Sequence, residues 1–194
     1  MPDKKNEADP EVVLRFWEEA GPEAWYKKDD AFDQAIRDQF GALWEDARGG
    51  GCDGWSTSAR GALARIILLD QFPRNMFRED ARAFATDDLG RQTARYAIDR
   101  SWDLQIEGSL RQFFYMPLMH SEKVADQDKC VRLIKERMSD GNNLLHARAH
   151  REIIRRFNRF PYRNAALGRT STAAESDFME SGGYGAIVSA LEAR

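Results

Sequence analysis

Residues 150–164 read His-Arg-Glu-Ile-Ile-Arg-Arg-Phe-Asn-Arg-Phe-Pro-Tyr-Arg-Asn. Leu145, Ala149, Ile153, Phe157 and Phe160 keep helical spacing up to Pro161. Proline disfavours a helical conformation in the residue before it, so the stretch predicts a helix end followed by a polar turn. A shorter relative occurs at Leu69-Asp70-Gln71-Phe72-Pro73-Arg74-Asn75. Both stretches follow an apolar helical run, reach a Phe-Pro step and then present arginine and asparagine.

Working outward, helical periodicity recurs along the whole chain. Asp9-Pro10 predicts an N-cap with proline in the first turn, and Val13, Phe16, Trp17 and Ala20 give one apolar stripe up to Gly21-Pro22. A second helix runs from Asp29-Asp30 to Gly49-Gly50-Gly51. A third is capped by Ser56 or Ser58 and ends near Phe72. Thr86 caps a fourth, and a fifth spans Gln105 to Met116, closing at Pro117. Ser121 caps a sixth with Val124, Val131, Ile134 and Met138 on its stripe, and Gly141-Asn142-Asn143 separates it from a seventh, the run with Leu145 to Phe160 inward. Thr172-Ala-Ala-Glu175 fits a capping box for an eighth. The last ten residues are too short and glycine-interrupted to be assigned firmly. No stretch alternates with period two as strands do. The expectation is an all-α chain of about eight to nine helices in antiparallel pairs. Residues 1–8 form a disordered tail and 9–194 one helical domain.

The chain has 194 residues and a net charge of −3. A dominant nucleic-acid surface is therefore not expected. The longest uninterrupted aliphatic run, Ile66 to Leu69, is far too short for a membrane span. Cys52 and Cys130 lack a Cys-x-x-Cys partner, which fits a reducing cytoplasm. The composition does not set an oligomeric state.

Several stretches together resemble one family. They are residues 68–75, Ala83 to Asp87, Phe113-Phe-Tyr-Met-Pro-Leu-Met-His-Ser-Glu122, residues 150–164, and Leu167 to Glu175. This combination resembles the mostly bacterial family known as domain of unknown function 924, over roughly residues 11–181. The resemblance implies an all-helical fold grouped with tetratricopeptide-like α-α superhelices, and no established activity, substrate or cofactor. Two positions depart from the family pattern: Asn158 stands where glycine is usual and Tyr162 where histidine is usual. The second departure argues against a required imidazole at 162.

The candidate functional residues come from the paired turns and the histidines. If the two turns pack as neighbours, Arg74, Asn75, Arg159, Arg163 and Asn164 line one polar concavity. Asp70 and Gln71 would orient its arginines, whose forked donors suit carboxylate or phosphate. The competing reading is structural, because carbonyls left free at a helix C-terminus need such donors. His146 and His150 share a helix face at i, i+4, and His120 is a possible third ligand. The His-Glu-x-x-His glutamate is absent, however, because Arg151 follows His150, so no metal and no cofactor are expected. His120 with Glu122, or His150 with a carboxylate such as Asp70, also suits acid–base chemistry. Against it, Ser121 and Glu122 read as ordinary helix-start residues. Trp25 and Trp55 fall in loops and are the tryptophans expected at the surface. Two functions stay open: a binding or scaffold module for a peptide, protein or small anionic ligand, and an enzyme on an anionic substrate using His120 or His150.

Overall fold

The computed structural model describes residues 8–138 and 141–193, so residues 1–7 of the expected tail lie outside the described residues. The chain is all-α, and among the described residues every regular element is helical. The α-helices are α1 (Pro10–Trp25), α2 (Asp30–Arg48), α3 (Ala59–Ile66), α4 (Phe72–Met76), α5 (Asp87–Asp99), α6 (Met116–Met119), α7 (Val124–Arg137), α8 (Asn143–Phe157), α9 (Ala173–Glu180) and α10 (Gly183–Glu192). By internal contacts the residues group into two compact units, Met1–Arg78 with Arg82–Pro117, and Glu79–Ala81 with Leu118–Arg194. Among the described residues no helix is long and apolar enough to cross a membrane.

The first unit is built on an aromatic core. Phe72 lies 4.7 Å from Phe40 and 5.6 Å from Trp17, ring centroid to centroid, and Trp25 lies 4.9 Å from Phe113. Trp17, Phe72 and Phe113 have no exposed surface. Each such side chain contributes about 1.5–3 kcal/mol by leaving water. Trp25 and Trp55 are buried too, against the expectation of exposure. The reason for Trp25 is a kink. Gly21 takes φ 74°, after which one more helical turn carries Trp25 inward, where its Nε1 donates to the Trp17 carbonyl at 2.7 Å. The first helical run thus ends at Gly21, as expected, and the segment from Pro22 to Trp25 is a second, kinked-off turn of α1.

The third helix does not stop at Phe72 either. Phe72 is helical at φ −56°, ψ −40°, and Pro73 sits inside the first turn of α4. Residues Ile67–Gln71 widen into a π-helical turn, in which the Phe72 N–H reaches back to the Ile67 carbonyl. Widening relieves the clash that a proline ring makes with the carbonyl four residues earlier, and leaves that carbonyl without its usual donor. The carbonyl is that of Leu69, and the Thr86 hydroxyl donates to it at 2.6 Å. Trp44 Nε1 in turn donates to Thr86 Oγ1 at 3.0 Å. Thr86 therefore does not cap α5 with its side chain, as the sequence suggested; it serves the proline break instead.

Two further expectations change. Residues assigned to a fifth helix form 3-10 segments, Trp102–Gln105 and Gly108–Phe114, before the short α6 that contains Pro117. Ser121 donates to Asp126 Oδ2 at 2.7 Å, while Lys123 occupies the cap of α7 and makes no side-chain cap bond.

In the second unit α7 packs along α8, α8 against α10, and α9 against the 3-10 turn Pro161–Arg163. Ala149, Ile153, Ile154, Phe160 and Ile187 form the buried cluster, with Phe157, Tyr184 and Val188 around it. Thr172 and Glu175 make the expected capping box at the start of α9.

Candidate functional site

The residues of the first Phe-Pro turn are stitched into the first unit. Asp70 has no exposed surface, and its Oδ2 accepts from Gln71 Nε2 at 2.6 Å. Arg74 pairs with Asp87 at 3.0 Å and with Asp70 at 3.5 Å, and also donates to the Asp70 carbonyl. Asn75 Nδ2 donates to Asp33 Oδ1 at 2.8 Å. Asp33, on α2, is itself held by a forked contact from Arg78. Sequence reasoning missed Asp33, which carried no signal beyond its place near the start of α2.

The second turn is built differently. α8 ends at Phe157, and Asn158 takes the left-handed conformation at φ 58°, ψ 9°. This explains why glycine is usual here in the resembling family and why asparagine, a residue tolerant of that region, replaces it. Phe160 is extended at φ −92°, ψ 107°, as its following proline demands.

Beyond it the polar groups pair off. Arg159 forks onto Glu175 at 2.5 and 2.7 Å and also donates to the Thr170 carbonyl at 2.9 Å. The Arg159 hydrogen bonds, with the Thr172 N–H, hold the Glu175 carboxyl down at about 2. Asn164 donates to Ser171 Oγ at 3.1 Å. Glu122 accepts from the Phe160 N–H at 2.9 Å and from Arg169 at 2.8 Å. Burial pulls the Glu122 carboxyl upward, but Arg169 and the Phe160 N–H outweigh it, and the group stays below the usual range. Arg163 is buried, with Cζ 4.5 Å from the centre of the Phe160 ring.

The histidines gather beside that turn. His150 meets the rings of His120 at 6.3 Å, Phe160 at 5.5 Å and Tyr184 at 4.9 Å. Its Nδ1 lies 2.8 Å from the His146 carbonyl. A carbonyl only accepts, so Nδ1 carries the proton and Nε2 keeps the lone pair. Burial, helped by the nearby positive groups, lowers the His150 imidazole to about 3. At neutral pH the ring is therefore neutral, in one fixed tautomer. His146 Nδ1 contacts the Tyr184 hydroxyl at 2.6 Å, and burial pushes that phenol up to about 12, so it stays protonated. Among the described residues no group of three or more His, Cys, Asp or Glu is placed to hold a metal ion.

An open cleft of about 550 Å³ lies over His150, lined also by Tyr162, Met179, Gly182, Gly183, Tyr184 and Gly185. Of the residues anticipated from sequence, His150 lines the cleft, His120 and Arg163 stand near it, and Glu122, Arg159 and Asn164 are engaged in hydrogen bonds. The far wall, Met179 to Gly185, was missed. Its signal was present: Tyr184, Ile187, Val188 and Leu191 follow i, i+3, i+4, i+7 spacing within α10.

Comparison with known proteins agrees with this picture. A family profile described as "Bacterial protein of unknown function (DUF924)" matches residues 13–183. The solved structure of the protein of unknown function ATU0120 from Agrobacterium tumefaciens is similar. It is 41% identical, with a TM-score of 0.85 over 89% of this chain and 97% of that one. No curated protein matches the chain.

Proposed function

The chain belongs to the family described as a bacterial protein of unknown function, DUF924, and from the geometry of its second unit we propose that it is a ligand-binding module rather than an enzyme. The observation that carries this reading is the open cleft over His150, beside which the charged side chains are committed to one another. A neutral imidazole in a fixed tautomer is a good hydrogen-bond acceptor. With its proton affinity this low, it is a weak acid–base catalyst near neutral pH. The enzyme reading, with His120 or His150 as acid–base group, is the weaker one for that reason.

The same proposal places the protein in the cytoplasm, with a small molecule or peptide as partner and no nucleic acid or membrane. The net charge of −3 and the absence of a membrane-crossing helix among the described residues support it. It includes a tetratricopeptide-like α-α arrangement. Its support is the pairing of α7 with α8 across a short connection, which makes them antiparallel.

The test is a fragment screen by amide NMR. Ligands that perturb residues 182–185 together with the His150 ring are the expected result. A screen whose hits perturb only other surfaces, or that yields no hits, overturns the proposal.

A further inference from the structure

The cleft presents a narrower chemistry than its volume alone conveys. No residue lining it is a carboxylate. On one side is the start of α10, a helix of ten residues whose cap, Gly182, supplies no side-chain acceptor. The first N–H groups of a helix have no partner within it and carry the positive end of its dipole. Residues 182–185, which contribute this end, line the cleft themselves.

On the other side is His150, an independent element. Its Nδ1 is spent on the His146 carbonyl, and among the described residues no donor reaches its Nε2. One ring deeper, the Arg163 guanidinium rests on Phe160, whose ring meets that of His150 edge-on. Tyr184 is the second residue of α10, and its ring centre is 4.9 Å from that of His150. The helix start and the imidazole thus line the same cleft, and a side chain from the first turn of α10 touches the His150 ring. Met179 and Tyr162 complete the wall with apolar surface.

We infer that the cleft binds an N-acyl amino acid carboxylate with an apolar side chain. The carboxylate takes the N–H groups at the start of α10. The neighbouring amide N–H donates to His150 Nε2, and the side chain packs against Met179 and Tyr162. The same chemistry occurs in a free N-acyl amino acid and at the C-terminal end of a peptide. The inference names the ligand of the binding-module reading above and rests on it.

The experiment titrates the full chain with N-acetyl-L-phenylalanine, with its uncharged carboxamide, and with a five-residue peptide ending in phenylalanine. Calorimetry and amide NMR are read together. The acid is expected to bind at least about tenfold tighter than the amide, as a charge-assisted contact does. A Cβ at Gly185 meets nothing within 4 Å, so Gly185→Asp places a fixed carboxylate at the same N–H groups without a clash. It is expected to weaken the acid at least about tenfold while keeping or raising the melting temperature, since an acid in the first turn suits the dipole.

Tighter binding of the peptide identifies a chain end as the source, and binding of the free acid alone identifies a metabolite; either upholds the inference. Equal affinity for acid and amide, both perturbing 182–185, overturns the carboxylate assignment and leaves the cleft standing. Acid binding that perturbs other residues and ignores Gly185→Asp overturns both. No binding by any of the three ligands overturns the carboxylate assignment.

Discussion

The two Phe-Pro turns have nearly the same letters and opposite backbones. At Phe72-Pro73 the chain stays helical through the proline; at Phe160-Pro161 the helix has already ended and Phe160 is extended. The Phe-Pro step does not decide between them; the residues before it do. Upstream of Pro73 a π turn makes room, and Thr86 supplies the hydrogen bond that proline removes. Upstream of Pro161, Asn158 turns left-handed and takes the chain out of the helix before the proline arrives. The first helix runs through its proline because Thr86 satisfies the orphaned carbonyl, whereas the second has ended before its proline is reached.

The comparison is open to attack. The largest effect is expected at the shared phenylalanine. Phe72→Ala and Phe160→Ala each empty a fully buried site and are expected to cost about 3–5 kcal/mol in urea unfolding. A loss below about 1 kcal/mol at either would show that its turn is not anchored by the ring. Next, Thr86→Val keeps the shape but strands the Leu69 carbonyl and Trp44 Nε1, and is expected to cost about 2–3 kcal/mol, with Thr86→Ser recovering most of it. An innocuous Thr86→Val would remove the account of how α4 tolerates Pro73.

The second turn also responds to pH through its neighbour. In the unfolded chain His150 gains its proton near 6.5, and in the folded one only near 3. Between these the unfolded state binds more protons, so His150 makes stability fall as the pH is lowered, by up to about 1.4 kcal/mol per unit. Wild type measured at pH 7 and pH 5 should lose stability, and His150→Phe should lose less. Carboxylates held low, such as Glu175, contribute only below about pH 4.5. The smallest effect is expected at Asn158. Asn158→Ala must hold φ 58° with a Cβ and no side-chain compensation, at a cost of about 1 kcal/mol, and Asn158→Gly should be neutral or better. Equal stability of the alanine and glycine variants would mean the left-handed residue does not end α8.

These differences mark where the sequence can be read. Helix starts governed by a local bond were legible: Asp9 before Pro10, Ser58, and the Thr172–Glu175 box. The π turn was not, because its condition, the Thr86 hydroxyl, lies 17 residues from Leu69 and took the form of an ordinary helix cap. The arginines and asparagines of both turns were recognised as polar anchors. Their partners Asp33 and Glu175 were not, since ion pairing across elements follows from packing. The α10 wall of the cleft went unread because its glycines obscured a regular apolar spacing. Those glycines are also what leaves the helix start open.

Glu175 has a consequence for the order of folding. Its carboxylate both closes the capping box of α9, through the Thr172 N–H, and receives the fork from Arg159 at the end of α8. Neither the first turn of α9 nor the placement of residues 157–164 is complete until both contacts exist. The two elements should therefore consolidate in one kinetic step. Substitutions at Arg159 and at Thr172 are expected to give matching φ-values in folding kinetics, wherever they fall between zero and one.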